Sequence, residues 1–175
     1  MKIFMTLIIT IILLALIGLT VIMFGLYNVS AMNPDTGIKK WILSTASDNS
    51  VERHAAGITG PPLDDSSMVV LGYTHYSEMC VTCHGAPGIE PSEIGQGLNP
   101  HPPNLARSTR DMSDGEIFWV TKNGIKMTGM PAFGKTHSDD KIWAIVAFVK
   151  KMQNMTAEQY NAYGKTAGNT EVMGQ

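Results

Sequence analysis

The pentapeptide Cys80-Val81-Thr82-Cys83-His84 constrains this chain more than any other stretch. A C-x-x-C-H spacing reads as covalent attachment of a c-type haem. Two cysteines bond the porphyrin's vinyl groups, and two intervening residues match the two attachment points. The adjoining histidine is then placed to ligate the iron from one face. Three other uses of the same residues fit less well. A thioredoxin-like motif needs a strand before it and a helix after it, whereas here a helical pattern leads in and Gly85-Ala86-Pro87-Gly88 turns the chain away. A zinc site wants four protein ligands, and the chain has only two cysteines. A disulfide between Cys80 and Cys83 would leave His84 without a purpose.

At 175 residues the chain has room for one ordinary domain plus appendages. Its average composition, 44% apolar with a formal net charge of −2, hides a sharp division. No charged residue occurs from Ile3 to Leu26. As a helix those residues would run about 36 Å at roughly 1.5 Å per residue, enough to cross a hydrocarbon layer of about 30 Å. Val29-Ser30-Ala31 resembles a signal-peptide cleavage site. A signal's apolar core is, however, usually only about 7–15 residues long. The reading is therefore an uncleaved transmembrane anchor over 1–27, in contact with lipid through residues 3–26. Tyr27 suits the aromatic belt at its outer end. Lys2 against Lys39 and Lys40 leaves the orientation ambiguous by charge alone. Haem attachment in bacteria takes place outside the cytoplasmic membrane, so the expectation is a single-pass inner-membrane protein with its globular part on the periplasmic side.

A connector over 28–67 has no long apolar period and is punctuated by Pro34, Gly37, Gly57, Gly60, Pro61 and Pro62. Within it, 39–43 suits a short amphipathic helix on the membrane surface, and 50–56 another helical turn or two. Such a connector is long for a passive tether. It either packs against the globular domain or lies along a partner. From 68 to 152 the pattern is that of a compact helical domain. Val69, Val70, Tyr73, Tyr76 and Cys80 recur at three- and four-residue spacing. Gly72 interrupts that helix at a cost of about 1 kcal/mol against alanine. Ser113-Asp114-Gly115-Glu116 has the form of a capping box, and Asn123-Gly124 the form of a stop. Ser138-Asp139-Asp140 opens a further helix, with Ile142, Trp143, Ile145, Val146, Phe148 and Val149 on a broad apolar face. No segment alternates with period two, so the expected class is all-α. The polar stretch 153–175 reads by default as a flexible tail, with a clasp on a neighbour as the alternative.

An iron held by one histidine has an open sixth position. The segment 124–134 is a loop by composition and carries Met127 and Met130. Thioether sulfur is a soft, neutral ligand that raises a haem's reduction potential. Methionines also simply fill gaps, and the chain has twelve of them.

Three motifs in order, Cys80 to His84, Pro103-Asn104-Leu105 and Gly129-Met130-Pro131-Ala132-Phe133, resemble those of mono-haem class I cytochromes c. The resemblance covers roughly 68–152. Gly72 and Tyr76 stand where that family's first helix carries a glycine and an aromatic, and Ile145 and Phe148 match the apolar residues that cross them. The resemblance implies one haem c attached through Cys80 and Cys83, with His84 and Met130 as axial metal ligands. It further implies that the Pro103 carbonyl accepts the Nδ1–H of His84, and that Leu105 and Trp119 line the haem crevice. It disfavours His101 as a distal ligand because of its neighbour Pro103. His54, His75 and His137 have no motif around them and are expected at the surface. The membrane helix, connector and tail are additions to the family minimum.

With both axial positions taken by protein, one-electron exchange through the haem edge is the chemistry that remains. No carboxylate pair, Ser–His pair or phosphate loop suggests catalysis, so the chain is expected to be an electron-transfer protein rather than an enzyme. There is no basic patch for nucleic acid. The expected partners are membrane respiratory complexes: a quinol-oxidising or dehydrogenase complex as donor and a terminal oxidase as acceptor. The chain would serve them as a carrier or as a fixed subunit. The alternative class is a haem-based gas sensor or peroxidase in which Met130 is displaceable.

Overall fold

A computed structural model of the chain describes residues 1–172. In chain order its helices are α1 (Lys2–Met23), α2 (Gly37–Ala55), α3 (Ser66–His75), α4 (Val81–His84), α5 (Glu93–Gln96), α6 (Leu105–Ser108), α7 (Asp114–Asn123), α8 (Asp139–Met152) and α9 (Ala157–Val172). A π-helical turn, Tyr76–Cys80, joins α3 to α4, and a 3₁₀ turn, Phe133–Lys135, precedes α8. No strand occurs among the described residues. The all-α expectation holds.

The chain divides into two units, 1–33 and 34–175. The first is built on α1, whose 22 residues span about 33 Å. Its mean hydropathy is 2.9, and its side chains are almost all exposed. The threonine hydroxyls inside it donate back to carbonyls one turn earlier: Thr6 to Lys2 at 3.0 Å, Thr10 to Thr6 at 2.9 Å and Thr20 to Leu16 at 2.8 Å. No hydroxyl donor among these three is left to the surroundings, which lowers the cost of placing them in hydrocarbon.

The second unit is organised by α3 crossing α8. Gly72 makes the crossing possible, because a Cβ there would overlap the Ala144 carbonyl and come within 2.8 Å of Phe148 Cβ. The glycine that weakens α3 as an isolated helix is what lets α8 approach. Asp65 caps α3, its carboxylate accepting from the amides of Ser67 at 2.7 Å and Met68 at 3.4 Å. Behind the crossing, Tyr76, Ile142, Val146 and Phe148 are fully enclosed. Burying a side chain of the size of Phe148 contributes about 1.5–3 kcal/mol. The Tyr76 hydroxyl is satisfied inside this core, donating 2.6 Å to the carbonyl of Gly85. Helix α7 has the expected capping box, with reciprocal Ser113 and Glu116 bonds, and ends at Gly124 with φ +66°. Its Phe118 stacks on Trp143 of α8 at 4.2 Å between ring centres.

Two segments differ from expectation. Residues 39–43 and 50–56, read as separate short pieces, belong to one 19-residue helix, α2. No proline or glycine interrupts 38–56, and its polar residues cost only tenths of a kcal/mol each in a helix. The carboxyl half of α2 packs on the globular domain through the buried Val51 and Ala55. Beyond it, a Cβ at Gly115 of α7 would sit 2.8 Å from the Ile58 carbonyl, and Gly60 lies against the Trp143 ring. From Val51 to Gly60 the connector is therefore part of the domain's packing. The second correction concerns the polar tail: Ala157–Val172 is helical, while 173–175 lie outside the described residues. Thr156 and Gln159 form a capping box, Thr156 N donating 2.8 Å to Gln159 Oε1 and Gln159 N 3.3 Å to Thr156 Oγ1. Tyr160 is buried, with its ring 5.4 Å from that of Tyr73 on α3.

Replacing Gly72 with alanine is expected to cost about 1–3 kcal/mol or more, since backbone rather than a mobile side chain occupies the space. Denaturant titration of Gly72→Ala at unchanged m-value checks this, and a midpoint equal to wild type would mean the crossing is looser than described.

Candidate haem site

Residues 76–84 form a continuous helical path from α3 through the π turn into α4, and Gly85, at φ +63°, ends it. Cys80 is buried and Cys83 half-buried, and burial pushes the Cys80 thiol up to about 12. Helix rather than strand leads into the motif and a turn follows it, so the thioredoxin alternative does not fit. No group of three or more His, Cys, Asp or Glu side chains placed to hold a metal occurs among the described residues. Helix α5 braces the motif from outside. Ser92 N and Oγ each donate 2.9 Å to the Thr82 carbonyl, and a Cβ on Gly95 would come within 2.9 Å of Cys83 Cα.

His84 Nδ1 lies 2.8 Å from the carbonyl oxygen of Pro103. A carbonyl only accepts, so Nδ1 carries the proton and Nε2 presents its lone pair. Burial lowers the His84 pKa, and the bond to Pro103 opposes that shift in part. A neutral imidazole with Nε2 free to donate fits a haem iron. The Pro103 segment is itself held in place. Thr109, buried at the end of α6, donates 2.7 Å to the Leu105 carbonyl. It also takes bonds of 3.0 Å at both its carbonyl and its hydroxyl from Gln153 Nε2. Leu105 is half-buried and packs on the core. His84, Pro103 and His101 line one open cleft of about 520 Å³, placing His101 beside the proximal loop.

The loop after α7 distinguishes its two methionines. Met127 has φ +63° and is 92% exposed. Met130 is half-buried, and the backbone around it is pinned. Its amide donates 3.1 Å to Thr128 Oγ1, and its carbonyl accepts from Ile125 N at 3.2 Å. At Gly124 a Cβ would crowd that same carbonyl at 2.7 Å. One residue before Met130, a Cβ on Gly129 would meet Leu98 at 2.7 Å. Leu98 was not legible as a site residue, because nothing in its local sequence points to this loop. Trp119, on α7, is half-buried, and the ring of His54 from α2 stacks on it at 5.5 Å and 28°.

Of the three histidines expected at the surface, His54 is exposed but engaged in that stack. His75 departs further from expectation. It is half-buried, its Nε2 has no hydrogen-bond partner, and its ring meets His137 edge to face at 5.3 Å. His137 in turn packs on Phe133, 5.7 Å away at the end of the methionine loop. Burial, followed by the nearby His137 and Lys141, lowers the His75 pKa against a weaker opposing pull from Glu78.

Residues 67–149 match the family model described as cytochrome c oxidase, cbb3-type, subunit III. No curated protein matches the chain closely enough to be called a relative. The matched span contains Cys80, Cys83, His84, Pro103, Leu105, Trp119 and Met130.

A histidine whose folded pKa lies below its unfolded value of about 6.5 is neutral in both states at higher pH. As pH falls through that value the unfolded chain takes the proton first, so stability is lost on acidification. Between roughly pH 7 and pH 5, His75→Gln is therefore expected to lose stability less steeply than wild type. Parallel pH profiles in thermal denaturation would show that His75 is not desolvated.

Proposed function

Starting from a mono-haem c-type cytochrome whose amino-terminal apolar helix is consistent with membrane anchoring, we propose that the chain is a membrane-tethered electron carrier of a bacterial respiratory chain. It passes single electrons from a quinol-oxidising or dehydrogenase complex to a terminal oxidase. Residues 1–27 are the anchor, 68–152 carry the haem, and the haem faces the periplasm. The covalently bound haem c supplies a one-electron iron couple when in place.

The protein's own residues hold and tune it. Cys80 and Cys83 provide the thioether sulfurs, and the backbone bonds from Ser92 to Thr82 keep the helix carrying them from unwinding. His84 Nε2 is the proximal donor, oriented by the Pro103 carbonyl. Met130 is the distal donor, and Leu105 and Trp119 are the apolar walls. The observation that carries the reading is the contrast within one loop. Met130 is half-buried on a hydrogen-bonded backbone, whereas Met127 projects into solvent. A distal thioether carried on a backbone pinned in this way would favour electron transfer over substrate binding at the iron. A thioether opposite imidazole also places the couple at a higher potential than two imidazoles would.

Met130→Ala is expected to lose the near-infrared sulfur-to-iron band and to lower the reduction potential, whereas Met127→Ala keeps both. Rapid CO binding by the reduced wild type would instead support the sensor or peroxidase reading. Carrier and fixed subunit are separated by exchanging residues 1–27 for a foreign membrane helix. A carrier keeps supporting respiratory electron flow in membranes, while a subunit no longer co-purifies with its complex.

A further inference from the structure

Helix α2 has two unlike halves. Its carboxyl half is built into the haem domain through Val51, Ala55 and the His54–Trp119 stack. On its amino half, Ile38, Trp41 and Ile42 are 75%, 63% and 51% exposed. Residues i, i+3 and i+4 lie on one face of a helix, so these three form a single apolar stripe. Leu43 is also exposed but lies on the other side of the helix, one turn on from Lys39 and Lys40. The stripe is short. Along the same face the next positions are Thr45, Asn49 and Glu52. Lys40 projects from the opposite side, and Lys39 is paired with Asp35.

We propose that the first two turns of α2 lie in the headgroup layer of the lipid bilayer. The helix leaves the membrane surface before Asn49, so that α2 is a strut between the bilayer and the haem domain. The proposal rests on α1 being a membrane anchor. Three observations choose lipid as the occupant. Only residues 24–36 separate α1 from α2 in the chain, so the stripe follows closely in sequence on a helix already destined for the bilayer. Tryptophan beside isoleucine, flanked by lysine, is the composition that settles at the boundary between acyl chains and headgroups. The stripe also stops where the polar residues begin, two turns along, which suits a helix entering the domain from the interface. Because the far end of α2 is packed on α7 and stacked on Trp119, contact at the near end holds the haem domain at a restricted attitude to the membrane.

The test uses the full-length haem-loaded protein in vesicles of mixed phosphatidylethanolamine and phosphatidylglycerol. The two native cysteines are consumed by the haem thioethers, so a single introduced cysteine takes a nitroxide label uniquely. Labels at Leu14→Cys, Ile42→Cys and Asn49→Cys are compared by their collision rates with oxygen, which concentrates in lipid, and with a water-soluble nickel chelate. At position 42 the oxygen-to-nickel ratio is expected to exceed that at 49 several-fold, while 14 shows the highest ratio. A label at 42 as open to nickel as the label at 49, with 14 still in lipid, overturns the strut. Low collision with both reagents at 42 also overturns it, and assigns the stripe to a protein partner. A label at 14 open to nickel overturns the anchor reading itself. The double variant Ile38→Ser/Ile42→Ser, away from every haem contact, should keep the wild-type optical spectrum while its Asn49→Cys label becomes several-fold more mobile. Unchanged mobility at 49 would mean that lipid contact does not hold the domain.

Discussion

Every other feature of the haem domain depends on the closeness of α3 and α8. A hydrogen atom at Gly72, where any other residue has a Cβ, lets the Ala144 carbonyl and Phe148 come into contact with the α3 backbone. The approach encloses Tyr76, and the Tyr76 hydroxyl then reaches the Gly85 carbonyl immediately after the haem motif. A helix crossing remote from the cysteines is thus joined, through one buried phenol, to the turn that releases the chain behind His84. The glycine's cost in helix propensity is small beside the apolar burial it permits.

The site draws on separate stretches of chain, each stabilised by its own bonds. The orientation of the His84 imidazole depends on Pro103, whose segment is tied through Thr109 to Gln153 at the end of α8. The methionine loop depends on Gly124 and Thr128. The two meet in α8, which follows the one loop and anchors the other.

The appended segments are less passive than their composition suggests. Helix α2 covers part of α7 and sets His54 over Trp119, and α9 returns Tyr160 and Tyr163 to Tyr73 on α3. Each adds aromatic or apolar cover to a small helical core that would otherwise expose it.

The sequence by itself determined what depends on local spacing. Cys80, Cys83 and His84 needed only their own order to announce a haem. Ser113 to Glu116 announced a helix start, and an uncharged run of apolar residues announced a membrane helix. The loop motif pointed to Met130 by likeness, and the fold shows Met127 exposed and Met130 half-buried, which no local pattern announced. The Thr156–Gln159 box opens a helix in a stretch whose polarity by itself suggests none. Tertiary structure alone decided that α2 is one helix seated on α7, that Leu98 underlies Gly129, and that His75 faces His137. Those are contacts between residues distant in sequence, and their energy comes from surfaces that no local pattern encodes. A single chain carries the periodicity of each helix, but which faces meet is chosen by the shapes of all of them together.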